Sequence, residues 1–403
     1  IGINEEISFL KQRIYLADNK LDSAIYEIEQ LIEAYPSNLK YYSNLTDLYL
    51  SNGRNEEVLE VFERMQAIDS TNYNVQFAMA EFYRSEPNEA LYKKYIYKAF
   101  SNKEMGIDSK IKYLLSVYPP NSQNKEWNEE ALKLSSILTE AHPKEAKSYA
   151  VYGDYLYFNE NPIKAKEEYI KTLKIDSSRY AVWSQLLFIF SDLGENESVL
   201  DYGKRAIDLF PNQPAIYLVY GISLASSEQH EKAIKYYSLG SDLVFDNTAL
   251  KSQFYSSIGD SYHELENNIE SDKNYEKALE LDPNNVYVLN NYSYYLSLRK
   301  ENLEKAKAMS LKSNQISPNQ PSFEDTYAWI LFQLKEYEIA LDWINKAIAN
   351  SKDPSSELVS HKGDILFKLN REEEAIEYWK KALEKQPDSI ELKNRIKEKK
   401  LND

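Results

Sequence analysis

Apolar and polar residues along this chain follow the spacing of amphipathic helices, most clearly over residues 146–179. Both halves of this segment place apolar or aromatic residues three or four positions apart, at Tyr149, Tyr152, Gly153, Leu156 and Tyr157 and then at Ala165, Tyr169, Leu173 and Ile175. The tetrapeptide NENP separates the two halves. Because this spacing is typical of one buried helix face, and Asn and Pro favour turns, the segment is predicted to form two antiparallel helices.

Glycine and proline recur along the chain at a shared interval close to 34 residues. The two series are Gly153, Gly221, Gly259 and Gly363, and Pro143, Pro211, Pro283 and Pro387. In both series the first interval is 68 residues and the third is 104 residues. The second interval is 38 residues between glycines and 72 between prolines, so each exceeds a multiple of 34 by the same four residues. This shared register predicts a repeated helix pair, with glycine where the two helices touch and proline in the turn between pairs.

The repeated unit resembles the tetratricopeptide repeat, whose first helix favours Trp, Leu, Gly and Tyr and whose second favours Ala, an aromatic residue and Ala. Two units illustrate it, with Trp183, Leu186, Phe190, Gly194, Ala206 and Pro211 in one and Gly363, Leu366, Ala375, Trp379, Ala382 and Pro387 in the other. The resemblance implies an all-α fold, a right-handed α-α superhelix of about eleven antiparallel helix pairs. Such a solenoid grows by stacking units rather than by enlarging one core.

Four segments are predicted along the solenoid. Residues 5–106 are expected to hold about three repeats, degenerate at the end of the segment, and residues 107–145 an irregular repeat with an enlarged loop and a candidate hinge. Residues 146–389 are expected to hold a regular array of about seven repeats, and residues 390–403 a capping helix with a polar outer face. The stretch 84–130 fits the repeat poorly, which indicates either a hinge or ordinary drift of the repeat.

The charge balance disfavours nucleic acid as a partner. The chain has 48 Lys and Arg against 64 Asp and Glu, a net charge of −16, and such a surface repels phosphate backbones while favouring basic partners. Simple solubility of a large surface also explains the charge. There is no cysteine, which excludes disulfides and thiol chemistry, and no apolar run approaches the roughly 20 residues of a membrane span.

Motifs for catalysis are not found in the sequence. None of the four histidines lies in an HExxH pattern, and no GxGxxG, P-loop or GxSxG string occurs. Asp260, His263 and Glu264 share one helix face with a spacing that can hold a metal, but a first helix would show this polar edge to the groove in any case. We therefore expect neither an enzyme nor a cofactor nor a metal site.

The resemblance implies that side chains of the first helices line a concave groove. Carried onto this chain, the groove residues are Asp47, Asp154, Tyr157, Phe188, Asp260, His263, Tyr287, Tyr294, Asp325, Trp329, Phe332, Asp364 and Phe367. Acidic groups interleaved with aromatic rings suit a peptide or helix with Lys or Arg and apolar anchors. Some of these aromatics could instead be core residues. Family members that clamp a C-terminal carboxylate use Lys and Asn where this chain has serine and aspartate, which disfavours that mode.

The predicted function is a non-catalytic protein–protein interaction scaffold or adaptor. The C-terminal array resembles that of bacterial repeat proteins associated with the outer membrane, and its Asn-, Lys-, Ile- and Tyr-rich vocabulary resembles that of Bacteroidetes-like genomes. With a start at Ile1 rather than Met, this implies a periplasmic adaptor in a cell-envelope complex, with a lipid anchor upstream of Ile1. The alternative is a cytoplasmic peptide-sensing regulator that switches partners by changing superhelical pitch. Such regulators usually carry an N-terminal DNA-binding motif, whereas residues 1–36 resemble an acidic repeat.

Overall fold

The structure, a computed structural model, describes residues 3–86 and 88–401. Over these residues all the regular elements are α-helices, 23 in number. The last two positions of the predicted capping segment, Asn402 and Asp403, lie outside the described residues. No helix of the described chain has the length and apolar character that a bilayer crossing requires. The predicted all-α fold is confirmed.

The helices follow one another as eleven pairs and a final single helix. The first members of the pairs are α1 Glu5–Ala17, α3 Leu39–Ser51, α5 Tyr73–Ser85, α7 Ile107–Val117, α9 Ala146–Phe158, α11 Tyr180–Asp192, α13 Pro214–Ser226, α15 Thr248–Glu264, α17 Val286–Arg299, α19 Pro321–Gln333 and α21 Ser356–Lys368. The second members are α2 Leu21–Ala34, α4 Asn55–Ile68, α6 Glu89–Ser101, α8 Lys125–Ala141, α10 Pro162–Ile175, α12 Asn196–Leu209, α14 His230–Asp242, α16 Asn268–Leu281, α18 Leu303–Ile316, α20 Tyr337–Asn350 and α22 Glu372–Lys385, and α23 Ile390–Glu398 follows them.

The pairs stack into two compact units, Ile1–Leu186 and Leu187–Asp403. In the first unit α9 packs against α10 within a pair, and α2 against α3 between pairs. In the second unit α15 packs against α16, α19 against α20, and α14 and α20 each pack on the first helix of the next pair. Each pair thus buries its apolar faces partly within itself and partly on its neighbours, as the solenoid prediction requires.

Glycine lies where the two helices of a pair approach most closely. A Cβ atom added to Gly153 in α9 would lie 2.9 Å from the ring of Tyr169 in α10, closer than real Cβ atoms come. The contact recurs between Gly221 and Tyr237, Gly259 and Tyr275, and Gly363 and Trp379. The aromatic partner always follows the glycine by sixteen positions, so glycine makes room for one particular ring.

Each of these turns between pairs is held by an aromatic residue, which is the fourth residue of the first helix in the following pair. Its polar hydrogen is donated to a carbonyl six residues earlier, in the contacts Tyr42 to Pro36 (2.9 Å), Tyr149 to Pro143 (3.2 Å), Trp183 to Ser177 (2.8 Å) and Tyr217 to Pro211 (2.9 Å). The carbonyl oxygen in such a turn lies outside the regular hydrogen bonds of the helices, and the aromatic side chain supplies its hydrogen-bond donor. Six of the 34 tyrosines take part in this contact or in the preceding one.

The four-residue insertion in the glycine and proline series is an additional helical turn. Helix α15 has 17 residues, whereas α13 and α21 have 13. Glycine is the eighth residue of α13 and α21 but the twelfth residue of α15. Because four residues make about one turn of α-helix, the buried face of α15 keeps its direction.

The stretch that fits the repeat poorly is helical and contains a buried lysine. Helix α7 has 11 residues and α8 has 17. The ammonium group of Lys110 in α7 lies 2.8 Å from the carbonyl oxygen of Asn102 and 2.8 Å from Nε2 of His142. Burial lowers the pKa of Lys110 to about 8. A hinge at this place stays a prediction.

Candidate partner-binding groove

The main cavities lie along the first helices of the pairs. In the first unit, a cavity of about 570 Å³ is bounded by α7, α9 and the beginning of α11. In the second unit, one of about 610 Å³ lies between α15 and α17, and one of about 400 Å³ lies between α17, α19 and α21. Most of their lining residues belong to first helices or to the turns before them. The cavities are therefore segments of the face that the sequence predicts to be a groove.

Three of the predicted groove aspartates take part in a repeated hydrogen bond. Each directly follows a repeat glycine and accepts a hydrogen bond from the ring that packs on that glycine: Asp154 from Tyr169 (2.7 Å), Asp260 from Tyr275, and Asp364 from Nε1 of Trp379 (2.8 Å). We call this arrangement the Gly-Asp-aromatic module. In the sequence, the module is recognised by a Gly-Asp dipeptide with Tyr or Trp fifteen positions after the aspartate. The groove residues were predicted without this signal.

Asp154 lines the cavity of the first unit. Its side chain stays accessible to water through the cavity mouth, although protein atoms surround most of it. Burial raises the pKa of Asp154, and the hydrogen bond from Tyr169 partly offsets this rise. Lys147 and Arg179 line the same cavity. Asp108 lines it too and pairs with Lys147 at 2.6 Å, so a positive charge entering here would meet two cations and only one unpaired carboxylate, Asp154.

Asp260 lies in the cavity between α15 and α17. It is half-buried, and burial raises its pKa, against the opposing effect of hydrogen bonds from Tyr275, Asn291 and Tyr295. The residues lining this cavity include no Lys or Arg: they are Asn247, Ala249, Leu250, Gln253, Ser256, Ser257, Asp260, Asn285, Tyr287, Val288 and Asn291. Asp260 is thus the only charged side chain in the wall of the cavity.

His263 belongs to an aromatic stack beside Asp260. Its ring lies 3.6 Å from the ring of Tyr295, at an angle of 20°. Burial lowers the pKa of His263, which favours the neutral ring. In the described part of the chain, no group of three or more His, Cys, Asp or Glu side chains is arranged to hold a metal ion.

Asp364 differs from the other two module aspartates because a cation already pairs with it. Its side chain is about 2% exposed, and Nη1 of Arg395 in α23 lies 2.8 and 2.9 Å from its two oxygens. The same Nη1 donates to the hydroxyl of Ser360 (2.9 Å). Burial raises the pKa of Asp364 to about 6 despite the opposing effect of Arg395. Asp364 was predicted as a groove residue, but its carboxylate is buried and paired with Arg395, so it is not available to a partner.

Asp325, Trp329 and Phe332 of α19 meet His361 of α21. The ring of Trp329 stacks between Phe332, with centroids 4.8 Å apart, and His361, with centroids 4.1 Å apart. Nδ1 of His361 lies 2.8 Å from Oδ1 of Asp325. Burial lowers the pKa of His361, but the negative charges of Asp325, Asp364 and Glu357 outweigh it, so the pKa is raised.

The other predicted groove residues divide into exposed and packed side chains. Phe188 and Tyr287 are 43% and 70% exposed, and Asp47 is also exposed. The packed ones form ring contacts or hydrogen bonds within the fold: Tyr157 with Phe158, Tyr294 with Glu357 and Phe367 with Trp379. These three rings are partly buried, and their role as groove residues stays a prediction.

Part of the chain matches a known sequence family. Residues 243–388 match the family model described as tetratricopeptide repeat. The match begins just before α15 and ends just before α23, so it spans the last four helix pairs. No curated protein matches this chain.

The chain is similar to several solved structures. A tetratricopeptide repeat protein from Parabacteroides merdae is 17% identical, with a TM-score of 0.50 over 62% of this chain and 97% of the other. Yeast Tom70 is 14% identical, with a TM-score of 0.44 over 94% and 92% of the two chains. The Cut9–Hcn1 tetramer of the APC/C is 13% identical, with a TM-score of 0.47 over 98% and 89%.

The family assignment follows from three findings together. The helix pairs run through the whole described chain, the glycine and turn contacts recur with the period of the repeat, and residues 243–388 match the family model. Residues 243–388 thus match the tetratricopeptide repeat family, and helix pairs of the same kind make up the rest of the described chain.

Proposed function

We propose that this protein is a non-catalytic scaffold that binds a protein partner along the face formed by its first helices. The partner segment is extended or helical and carries Lys or Arg together with apolar residues. The observation that supports this most is the cavity between α15 and α17, where a single carboxylate, Asp260, lies beside the exposed ring of Tyr287. Repeats of this family typically act as interaction scaffolds rather than as enzymes.

The residues proposed to contact the partner are the accessible members of the predicted set. The carboxylates are Asp47, Asp154, Asp260 and Asp325, and the exposed rings are Phe188 and Tyr287. Asp47 and Asp154 are exposed and Asp260 and Asp325 half-buried; such carboxylates guide a basic segment to the surface, and aromatic rings supply the apolar contact area. The net charge of −16 adds a long-range attraction that speeds association at low salt.

The test is crosslinking of the full chain in its native cells, followed by binding measurements with the partner that mass spectrometry identifies. Replacing Asp154, Asp260 and Asp325 by Asn should weaken binding by at least about tenfold, since charged interface pairs are each worth one or more kcal/mol. Asn keeps the acceptor oxygen for Tyr169 and Tyr275, so the modules remain intact.

The matched control is Asp342→Asn, an exposed position on the second helix α20. It removes the same charge away from the groove and should leave the affinity nearly unchanged. Equal affinities of the triple variant and the wild type would contradict the proposed binding face.

We further propose that the protein works in the bacterial cell envelope. The support is the resemblance of the C-terminal array to outer-membrane-associated repeat proteins and the composition shared with Bacteroidetes-like genomes. Fractionation of native cells, with the intact mass of the protein from each fraction, tests this. Recovery of the protein only from the cytoplasm, without a lipid, would contradict it.

A further inference from the structure

One Gly-Asp-aromatic module contains a bound cation from the same chain, and this cation shows which chemical group the module accepts. In α21, the carboxylate of Asp364 and the hydroxyl of Ser360 both receive hydrogen bonds from Nη1 of Arg395, and Trp379 supplies the aromatic donor. Arg395 lies 31 positions after Asp364, on the next first-position helix α23. A single guanidinium nitrogen thus serves the carboxylate and the hydroxyl together, and the planar group can still stack on an aromatic ring, which an ammonium group cannot do in the same way.

The module of α15 repeats the same acceptors without the cation. Ser256, Asp260 and Tyr275 stand at the positions of Ser360, Asp364 and Trp379, with the same spacings along the chain. The position that corresponds to Arg395 is Asn291, on the next first helix α17. The amide of Asn291 is shorter than an arginine side chain and carries no charge. The carboxylate of Asp260 therefore has hydrogen-bond donors but no cation within salt-bridge distance in the described structure.

The surroundings of Asp260 suit an arginine side chain from outside the protein. The cavity has a volume of about 610 Å³, and no Lys or Arg lines it. The additional turn of α15 forms part of its wall through Ala249 and Leu250. The ring of Tyr287, 70% exposed at the same cavity, offers a face on which a guanidinium can stack. The cavity at Asp154 is less suitable because Lys147 and Arg179 line it and Ala150 replaces the serine.

We propose that the Asp260 cavity is a guanidinium-binding subsite that takes an arginine side chain of the protein partner. Asp260 and Ser256 accept hydrogen bonds from the guanidinium as Asp364 and Ser360 do from Arg395, and Tyr287 covers its face. The partner segment is therefore basic. The residue with which it enters this cavity is an arginine rather than a lysine. This subsite rests on the proposed scaffold function for its biological meaning.

The first test needs no partner and uses a cycle of two substitutions in the full chain. Asn291→Arg should place an arginine where α23 places Arg395, and it should raise the melting temperature by about 2–4 °C, as an added interaction of about 1 kcal/mol would. In the Asp260→Asn background the same substitution should give no increase. Asn345→Arg, which adds the same charge at an exposed position of α20, is the matched control. An equal effect of Asn291→Arg in both backgrounds would overturn the subsite.

The second test uses a small probe, N-acetyl-arginine amide, with N-acetyl-lysine amide and N-acetyl-citrulline amide as comparisons. Signals of labelled tyrosine rings should shift with the arginine probe, and at least about tenfold more weakly with the other two, because citrulline lacks the charge and lysine lacks the planar group that stacks on Tyr287. Asn291→Arg should abolish the shift because its own side chain fills the cavity. Equal responses to the arginine and lysine probes, or a full response in Asn291→Arg, would overturn the proposal.

The two proposals can fail separately. If the arginine probe binds as described but no protein partner depends on the first-helix face, the scaffold function fails and the subsite stands. If a basic partner binds that face with the same affinity in Asp260→Asn and in the wild type, the subsite fails and the scaffold function stands.

Discussion

Two residues sixteen positions apart determine the closest contact in four of the helix pairs. Gly153, Gly221, Gly259 and Gly363 each meet a ring of the second helix, and the ring is Tyr in three pairs and Trp in the fourth. The rings are almost fully buried, so they cannot move aside for a larger residue. The glycine is therefore needed for packing, since these helical positions have ordinary negative φ angles.

Replacing Gly221 by Ala tests this contact. The new Cβ would collide with the ring of Tyr237, which is 2% exposed, and we expect a loss of about 1–3 kcal/mol that exceeds the gain in helix propensity. The control is Gly106→Ala, where a Cβ atom would meet nothing within 4 Å. Thermal unfolding of both variants decides the matter. A Gly221→Ala protein as stable as the wild type would show that the ring can shift.

The pKa of His361 gives a second test at the residue scale. Its folded-state pKa is raised above the ordinary value of 6.5, so the folded protein holds the proton more tightly than the unfolded chain. The stabilisation is complete below pH 6.5 and is lost as the pH rises through the folded-state pKa. Asp325→Asn removes the nearest negative charge and should lower the pKa of His361, measured by NMR of its ring. Asp342→Asn should leave this titration unchanged, and a pKa of His361 that does not respond to Asp325→Asn would contradict the pairing.

The sequence predicted the positions of the module aspartates but not their hydrogen bonds. The repeat register places Asp154, Asp260 and Asp364 on one face of the first helices, and each of them lines a cavity along these helices. Their bonds to Tyr169, Tyr275 and Trp379 depend on how far each ring reaches past the glycine, which a face prediction does not include. The burial of Asp364 depends in addition on Arg395, a residue beyond the last repeat.

At the scale of elements, helix α23 closes the second unit by completing a module. Its Leu392 is buried, and its Arg395 pairs with the buried carboxylate of Asp364. The sequence predicts the cap from its charged, amphipathic pattern. That pattern does not reveal that one charge of the cap points inward, because arginines on a polar helix face usually meet water.

Arg395→Met tests the contribution of this contact. It leaves Asp364 buried without its cation, and we expect a loss of about 3–5 kcal/mol, the usual effect of breaking a buried ion pair. The double variant Arg395→Met with Asp364→Asn should recover part of the loss, because no buried charge then remains unpaired. Urea denaturation measures both. If the double variant is less stable than Arg395→Met alone, the charge of Asp364 is not the cause.

At the scale of the whole molecule, the chain consists of two compact units whose contacts are mostly between sequence neighbours. The number of pairs could be predicted because helical spacing persists along the chain and the glycine and proline series give the register from residue 143 onward. The division near residue 186 could not be predicted, because it lies inside α11, where the helical pattern is continuous.

We expect the two units to unfold in separable steps. Gly363→Ala, which crowds Trp379, should shift the urea transition reported by the tryptophans of the second unit, Trp329, Trp343 and Trp379. The transition reported by Trp127 and Trp183 should stay in place, since stability in stacked repeats is transmitted mainly between neighbours. Labelling all tryptophans with 5-fluorotryptophan and following the resolved 19F NMR signals of the two sets measures both transitions in one protein that retains Trp379. A shift of both transitions by the same amount would indicate one cooperative unit.

The extra turn of α15 has a consequence for how such chains can change in length. Insertions at the beginning of a first helix preserve the buried face when they add whole turns, so lengths of 34 and 38 residues are both compatible with stacking. Where neighbouring repeats differ in length, the added turn has no equivalent turn on the next first helix. In this chain the added turn forms part of the wall of the Asp260 cavity. A change in length can therefore create a recess for a ligand while every contact of the original repeat is retained.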